Sequence, residues 1–328
     1  SGVSLSLTLS LELVEPFVGG LVAGIDVDGG PTCEQLGVLQ TIVDLLWERP
    51  DLDVRQVRKL SAEELAQFLV TEESRTMFHE LHLTLEACRH PQSAEQVARV
   101  QEYADVLQVE GQDLAIFRAL MNEGVHAAAR DYQRFLDVNL GERVEPSLAT
   151  TPIDPTHPEM RLAEKLLAFA EFGPGTLGMA YLDFYERFGL RLPGMDPSAI
   201  NHFFVSHDMT HTIAGISTTV AGEIALSAFQ FAMNNNRINR AALLASLVAH
   251  EAGFAHPQHL KGAETGVLND PRAARLLAQE LARGSACRAD FSLVDHFELA
   301  PMSLADVRAE FGVARPANPG DGHHFQWA

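Results

Sequence analysis

Read for the spacing of its apolar positions, the chain is helical almost throughout. Apolar residues recur every three or four places over Glu34 to Trp47, Ala62 to Phe68, Val97 to Leu107 and Leu114 to Phe135, which is the period of an amphipathic helix. Ser61-Ala62-Glu63-Glu64 adds a capping box. In it the serine satisfies a free amide three residues on while the glutamate reaches back, so a helix is predicted to begin at Ser61. The same period predicts helices over Met160 to Phe172, Gly178 to Phe188, Ala199 to Ala214, Ser217 to Met233, Arg240 to Ala252 and Pro271 to Ala282. Only the start differs: Ser4 to Leu11 alternates polar and apolar with a period of two, which predicts a strand or an extended edge segment. The fold class expected is all-α.

Two helical domains are expected, because 328 residues exceed the size at which one core usually keeps growing. Val144 to Glu159 holds four prolines with little apolar periodicity and is the natural linker. The predicted division is an extended segment to residue 16, a first domain over 17–143, the linker over 144–159, a second domain over 160–315 and a tail over 316–328. The tail is rich in Pro, Gly and His, so it is expected to be ordered only by contact.

Charge narrows the partners. With 44 acidic against 24 basic residues the formal charge is −20, a surface that repels phosphate backbones and anionic headgroups, so nucleic acid is set aside. Cys33, Cys88 and Cys287 are odd in number and far apart, which indicates neither a disulfide framework nor a thiolate zinc site and fits a reducing compartment. No basic flank and apolar run marks a signal peptide at the start, and no window is apolar enough to span a bilayer. The localisation expected is cytoplasmic, with at most a peripheral place on a membrane.

In the first half, Asp26-Val27-Asp28-Gly29-Gly30 and Glu110-Gly111-Gln112-Asp113 each precede a helical stretch. Acidic residues there also complement the positive end of a helix dipole, so they need not bind anything. An EF-hand is excluded, because Gly30 and Pro31 stand where a ligand and a glycine belong and no glutamate closes the loop. From Phe17 to Leu140 this half resembles the TerB family of tellurite-resistance domains, in which a D-G or E-G loop opens a helix in each of two related halves. That resemblance implies cation-binding acidic loops, with Asp26, Asp28, Glu34, Glu110 and Asp113 as the candidates.

The strongest chemical signal lies in the second half. His207-Asp208-Met209-Thr210-His211 sets two imidazoles one helical turn apart on one face, where both can converge on a cation. On one unbroken helix Glu223 would lie about 18 Å beyond His211. Gly215, followed by Ser217, Thr218 and Thr219, instead predicts a helix end and a new helix start. A reversal there could bring Glu223 back, and a metal would then neutralise a carboxylate set among Val220, Ala221, Ile224, Ala225 and Leu226. The rival placements of Glu223 are a solvent face or an ion pair with Arg237 or Arg240.

H-D-x-x-H, eleven residues, then E resembles the signature of the Coq-four family of coenzyme Q (ubiquinone) biosynthesis proteins, and His207, Asp208, His211 and Glu223 fit each position. Upstream, Pro174-Gly175-Thr176-Leu177-Gly178, with Tyr181 and Phe184, is similar to the same family's P-G-T-L-G segment. The similarity spans Met160 to Phe254. It implies an all-helical domain in which His207, Asp208, His211 and Glu223 are both metal ligands and catalytic residues. The implied cofactor is a divalent ion, zinc first, with iron and manganese also suited to two imidazoles and two carboxylates. The implied substrate is a hydrophobic or prenylated quinone precursor, oxidatively decarboxylated and hydroxylated at one ring carbon, or a related specialised metabolite. Zinc supplies no electrons, so an oxidation would need a redox-active ion or a substrate that itself reacts with dioxygen. Asp208 could instead serve by orienting an imidazole.

A second function class stays open: a non-catalytic, lipid-binding scaffold for a biosynthetic complex, with a structural metal in a closed shell. Partner proteins and homo-oligomers are compatible with either. His250-Glu251, with His256 and His259 beyond it, is metal-like but lacks H-E-x-x-H spacing, and Gly253 and Pro257 interrupt the helix that would align it. His323 and His324 read as solvated tail residues, and Phe203, Phe204, Phe229 and Phe231 read as core rather than the wall of a prenyl tunnel.

Overall fold

The computed structural model describes residues 7–109, 118, 137–253 and 265–327. Among them it is all helical, with isolated bridges and no strand. Glu110 and Asp113, most of the Leu114 to Phe135 helix, and His256 and His259 lie outside the described residues.

In chain order the helices are α1 (Leu11–Ile25), α2 (Cys33–Leu45), α3 (Ala62–Phe68), α4 (Glu72–Ala87), α5 (Ala94–Leu107), α6 (Met160–Leu167), α7 (Leu177–Arg187), α8 (Asn201–Ala214), α9 (Val220–Met233), α10 (Arg237–His250), α11 (Pro271–Ser285), α12 (His296–Leu299) and α13 (Leu304–Phe311). Four depart from the sequence reading: α1, α4 and the short α12 and α13. Helix α1 begins inside the segment expected to be extended, taking in its residues 11–16, and Leu7 to Ser10 are not a strand. Ten of the fifteen residues of α1, from Val14 to Ile25, are buried, so it carries no clean polar face for periodicity to detect. Helix α4 was not predicted either. It buries every residue from Met77 to Glu86, including His79, Glu80, His82, Thr84 and Glu86, and polar side chains in a core erase the apolar period.

The chain divides into two compact units, residues 1–135 with 223–285, and residues 136–222 with 286–328. They interleave the segments that the sequence placed in consecutive halves. In the first unit α1 packs on α3, α4 and α5, while α2 lies along α11 and α4 meets α10. Phe17, Trp47, Phe78, His82 and Tyr103 form its aromatic centre, with ring centroids 5.3 to 5.8 Å apart. Phe229 and Phe231 are core residues of this unit, as expected.

In the second unit α8 packs on α7 and α13. The proline-rich stretch before α6 is tied into it: Glu145 accepts from the His296 amide at 3.0 Å and meets its Nδ1 at 2.6 Å, both residues being buried. The C-terminal segment is also bound. His324 is buried, not solvated, because the segment pairs with the turn after α8: Ser217 N donates to His323 O at 2.8 Å and Phe325 N to Gly215 O at 3.0 Å. No helix among the described residues is long and apolar enough to cross a membrane.

Candidate metal centre

The Pro174 to Gly178 motif sets the start of α7. Thr176 is the N-cap and its hydroxyl accepts from Met179 N at 3.2 Å, while the amides of Leu177 and Gly178 donate to Met302 O and Ala300 O. Held at that register, α7 turns Tyr181, Phe184 and Tyr185 into the core. Phe184 lies 5.4 Å from the His211 ring on α8.

Helix α8 carries His207, Asp208 and His211. It ends where Gly215 adopts φ +68°, ψ +35°, a left-handed conformation that glycine enters without steric cost. A Cβ there would also lie 2.1 Å from Trp327 Nε1. Thr219 then caps α9, accepting from Gly222 N at 3.0 Å. The break expected between His211 and Glu223 is present, and Glu223 stands in the first turn of α9. Of the rival partners considered for it, Arg240 donates to Asn235.

One ligand atom from each of His207, Asp208 and His211 lies within 4.8 Å of the other two. The imidazole planes of His207 and His211 are perpendicular with centroids 4.8 Å apart, and Phe203 stacks on His207 at 4.9 Å. His211 Nδ1 meets Ile216 O at 2.8 Å. A carbonyl only accepts, so Nδ1 carries the proton and Nε2 keeps the lone pair that a metal needs. Asp208 accepts a hydrogen bond from Tyr185, whose own oxygen accepts from Tyr181 at 3.2 Å. Burial, reinforced by the Asp208 charge, pushes both phenols well above their ordinary range, so they stay protonated donors.

This donor set suits a divalent ion: two imidazoles, one fixed by a backbone carbonyl, and a carboxylate whose second oxygen is held. The sequence brought His207, Asp208 and His211 to attention correctly as neighbours. It missed Tyr185, although Tyr181 four residues earlier was in view and i, i+4 spacing puts both on one face.

The acidic loop after α1 is already satisfied. Asp26 pairs with Lys59 at 2.7 Å, and Asp28 accepts from Ser93. The Arg89 guanidinium donates to the carbonyls of Ile25, Val27 and Gly30 at 3.1, 3.4 and 2.8 Å, so a resident cation fills the loop.

Fold and site thus define an all-helical chain with a two-histidine, one-carboxylate cluster on a single helix, Asp208 and His211 buried and His207 half-buried. No family model and no curated protein matches it. Among solved structures it is similar to a "putative ubiquinone biosynthesis protein" from Nostoc punctiforme, at 19% identity and a TM-score of 0.33, over 74% of this chain and 99% of that one.

Proposed function

We propose that the chain is a metal-dependent enzyme acting on a prenylated or aromatic quinone-type precursor. His207, Asp208 and His211 would hold a divalent ion, zinc first. The reading rests on one observation, the convergence of these three side chains with the His211 tautomer already set by Ile216 O. The H-D-x-x-H…E and P-G-T-L-G resemblances supply the substrate class and name Glu223 as a further ligand.

A bound divalent ion would act as a Lewis acid toward a substrate carboxylate or phenolate. The chain's own groups do the rest. Tyr185 keeps a proton on its Oη, directed at Asp208, which holds that carboxylate in place. Phe184 and Phe203 line the imidazoles with apolar surface, which excludes water and strengthens electrostatic interactions at the site.

Elemental analysis of the purified chain, compared with His211→Gln and Glu223→Gln, tests the ligand set. Each variant is expected to lose close to one equivalent of metal while keeping its helicity. Equal metal content in wild type and both variants would refute it.

A further inference from the structure

A second cluster lies in the other compact unit, built from residues far apart in sequence. Glu34 stands in the first turn of α2, His90 follows α4, and Glu251 directly follows α10. His90 Nε2 is 3.0 Å from Glu251 Oε1 and 3.6 Å from Glu34 Oε2, and one ligand atom of each residue lies within 4.8 Å of the others. The Glu251 side chain is fully buried and that of Glu34 is 10% exposed. Glu251 uses its second oxygen to accept from Leu268 N at 2.8 Å. Glu34 Oε1 is buried and accepts no hydrogen bond.

Two carboxylates facing one another out of water repel unless something positive sits between them. Arg89, next to His90 in the chain, is committed to the carbonyls of the α1–α2 loop. With the three side chains this close and two of them carboxylates largely out of water, the site takes up either a proton or a cation. Cys88, two positions before His90, donates its thiol to Thr84 O, which leaves one nitrogen and two oxygen donors.

We propose that Glu34, His90 and Glu251 form a second divalent-metal site, for a first-row transition ion such as Zn2+ or Mn2+, which ties the start of α2 to the ends of α4 and α10. The charge balances, since two carboxylates and a neutral imidazole match a 2+ ion. An imidazole ligand favours a transition metal over calcium or magnesium. Three protein ligands leave a position for water. Entry is open, because His90 is 23% exposed and lines a surface pocket with Thr32, Arg89 and Pro91.

The rival occupant is a proton shared by the two carboxylates. Glu34→Gln separates the cases, because glutamine keeps the shape of a protonated carboxyl and removes the charge that a metal needs. The full-length chain, stripped of metal, is titrated with zinc in competition with a chromophoric chelator. Glu34→Gln and His90→Gln are each expected to take up one equivalent fewer than wild type and to lose part of the zinc-dependent rise in melting temperature. Equal zinc uptake by wild type and either folded variant overturns the proposal. His90→Gln, at a partly exposed position, serves should Glu34→Gln fail to fold. The His207 cluster does not enter this difference, so failure there, seen only in His211→Gln, is distinguishable.

Discussion

At the scale of single residues, the candidate centre depends on side chains that bind nothing themselves. Tyr185→Phe deletes the hydroxyl that donates to Asp208 and leaves a buried carboxylate oxygen short of a donor. It is expected to cost about 1 to 3 kcal/mol and to weaken zinc binding about tenfold or more. Urea unfolding and zinc titration of the same variant check both, and unchanged values for both would remove Tyr185 from the site. The two histidines were legible because one helical turn of spacing suffices to place them together. Tyr185 was not, since no spacing rule joins it to Asp208, 23 positions on. In the sequence Glu251 stands near His256 and His259. Its partner is His90, 161 residues away, and no local pattern carries such a pairing.

At the scale of elements, amphipathic helices were legible and fully buried ones were not. Helix α3 begins after Ser61 as predicted, its hydroxyl accepting from Glu64 N at 3.1 Å. Helix α4 escaped because its interior face is polar, and that same property makes it sensitive to pH. Burial lowers His79 to about 4 and His82 to about 3, from an ordinary 6.5. Burial raises Glu80 to about 8, from 4.5. The unfolded chain therefore binds the extra histidine protons below pH 6.5, and stability from this pair is lost as pH falls. The folded chain keeps the Glu80 proton between 4.5 and about 8, so stability from this group is lost as pH rises through that window. Two histidines outweigh Glu80 where their windows overlap, so these three groups by themselves favour a pH near 6.5, and the raised Glu34 carboxyl tilts the whole profile toward acid. Each proton contributes a slope of at most about 1.4 kcal/mol per pH unit. Urea midpoints of wild type and Glu80→Gln, subtracted at each pH, should show the Glu80 contribution falling from pH 4.5 to about 8, and a difference that stays constant over that window would contradict it.

At the scale of the whole molecule, the all-helical class was legible because the apolar period recurs along most of the chain. The order of packing was not. Pairing of α2 with α11, and of α4 with α10, joins segments far apart in the chain, and periodicity within each helix says nothing about its partner. A fragment ending at Arg143 would lack α10 and α11, and with them much of the cover over α2 and α4. It is expected to melt without cooperativity, as followed by circular dichroism. A sharp transition equal to that of the intact chain would show that the first half folds alone.

The C-terminal segment pairs with Gly215 to Ser217, and Ile216 is the residue whose carbonyl orients His211. A chain stopped after Asp321 should accordingly hold zinc more loosely, and a synthetic peptide of the missing residues, added back, should restore its grip in proportion to dose. The last few residues would then work as a tuning key, detachable and replaceable, for an imidazole that Ile216 holds in place.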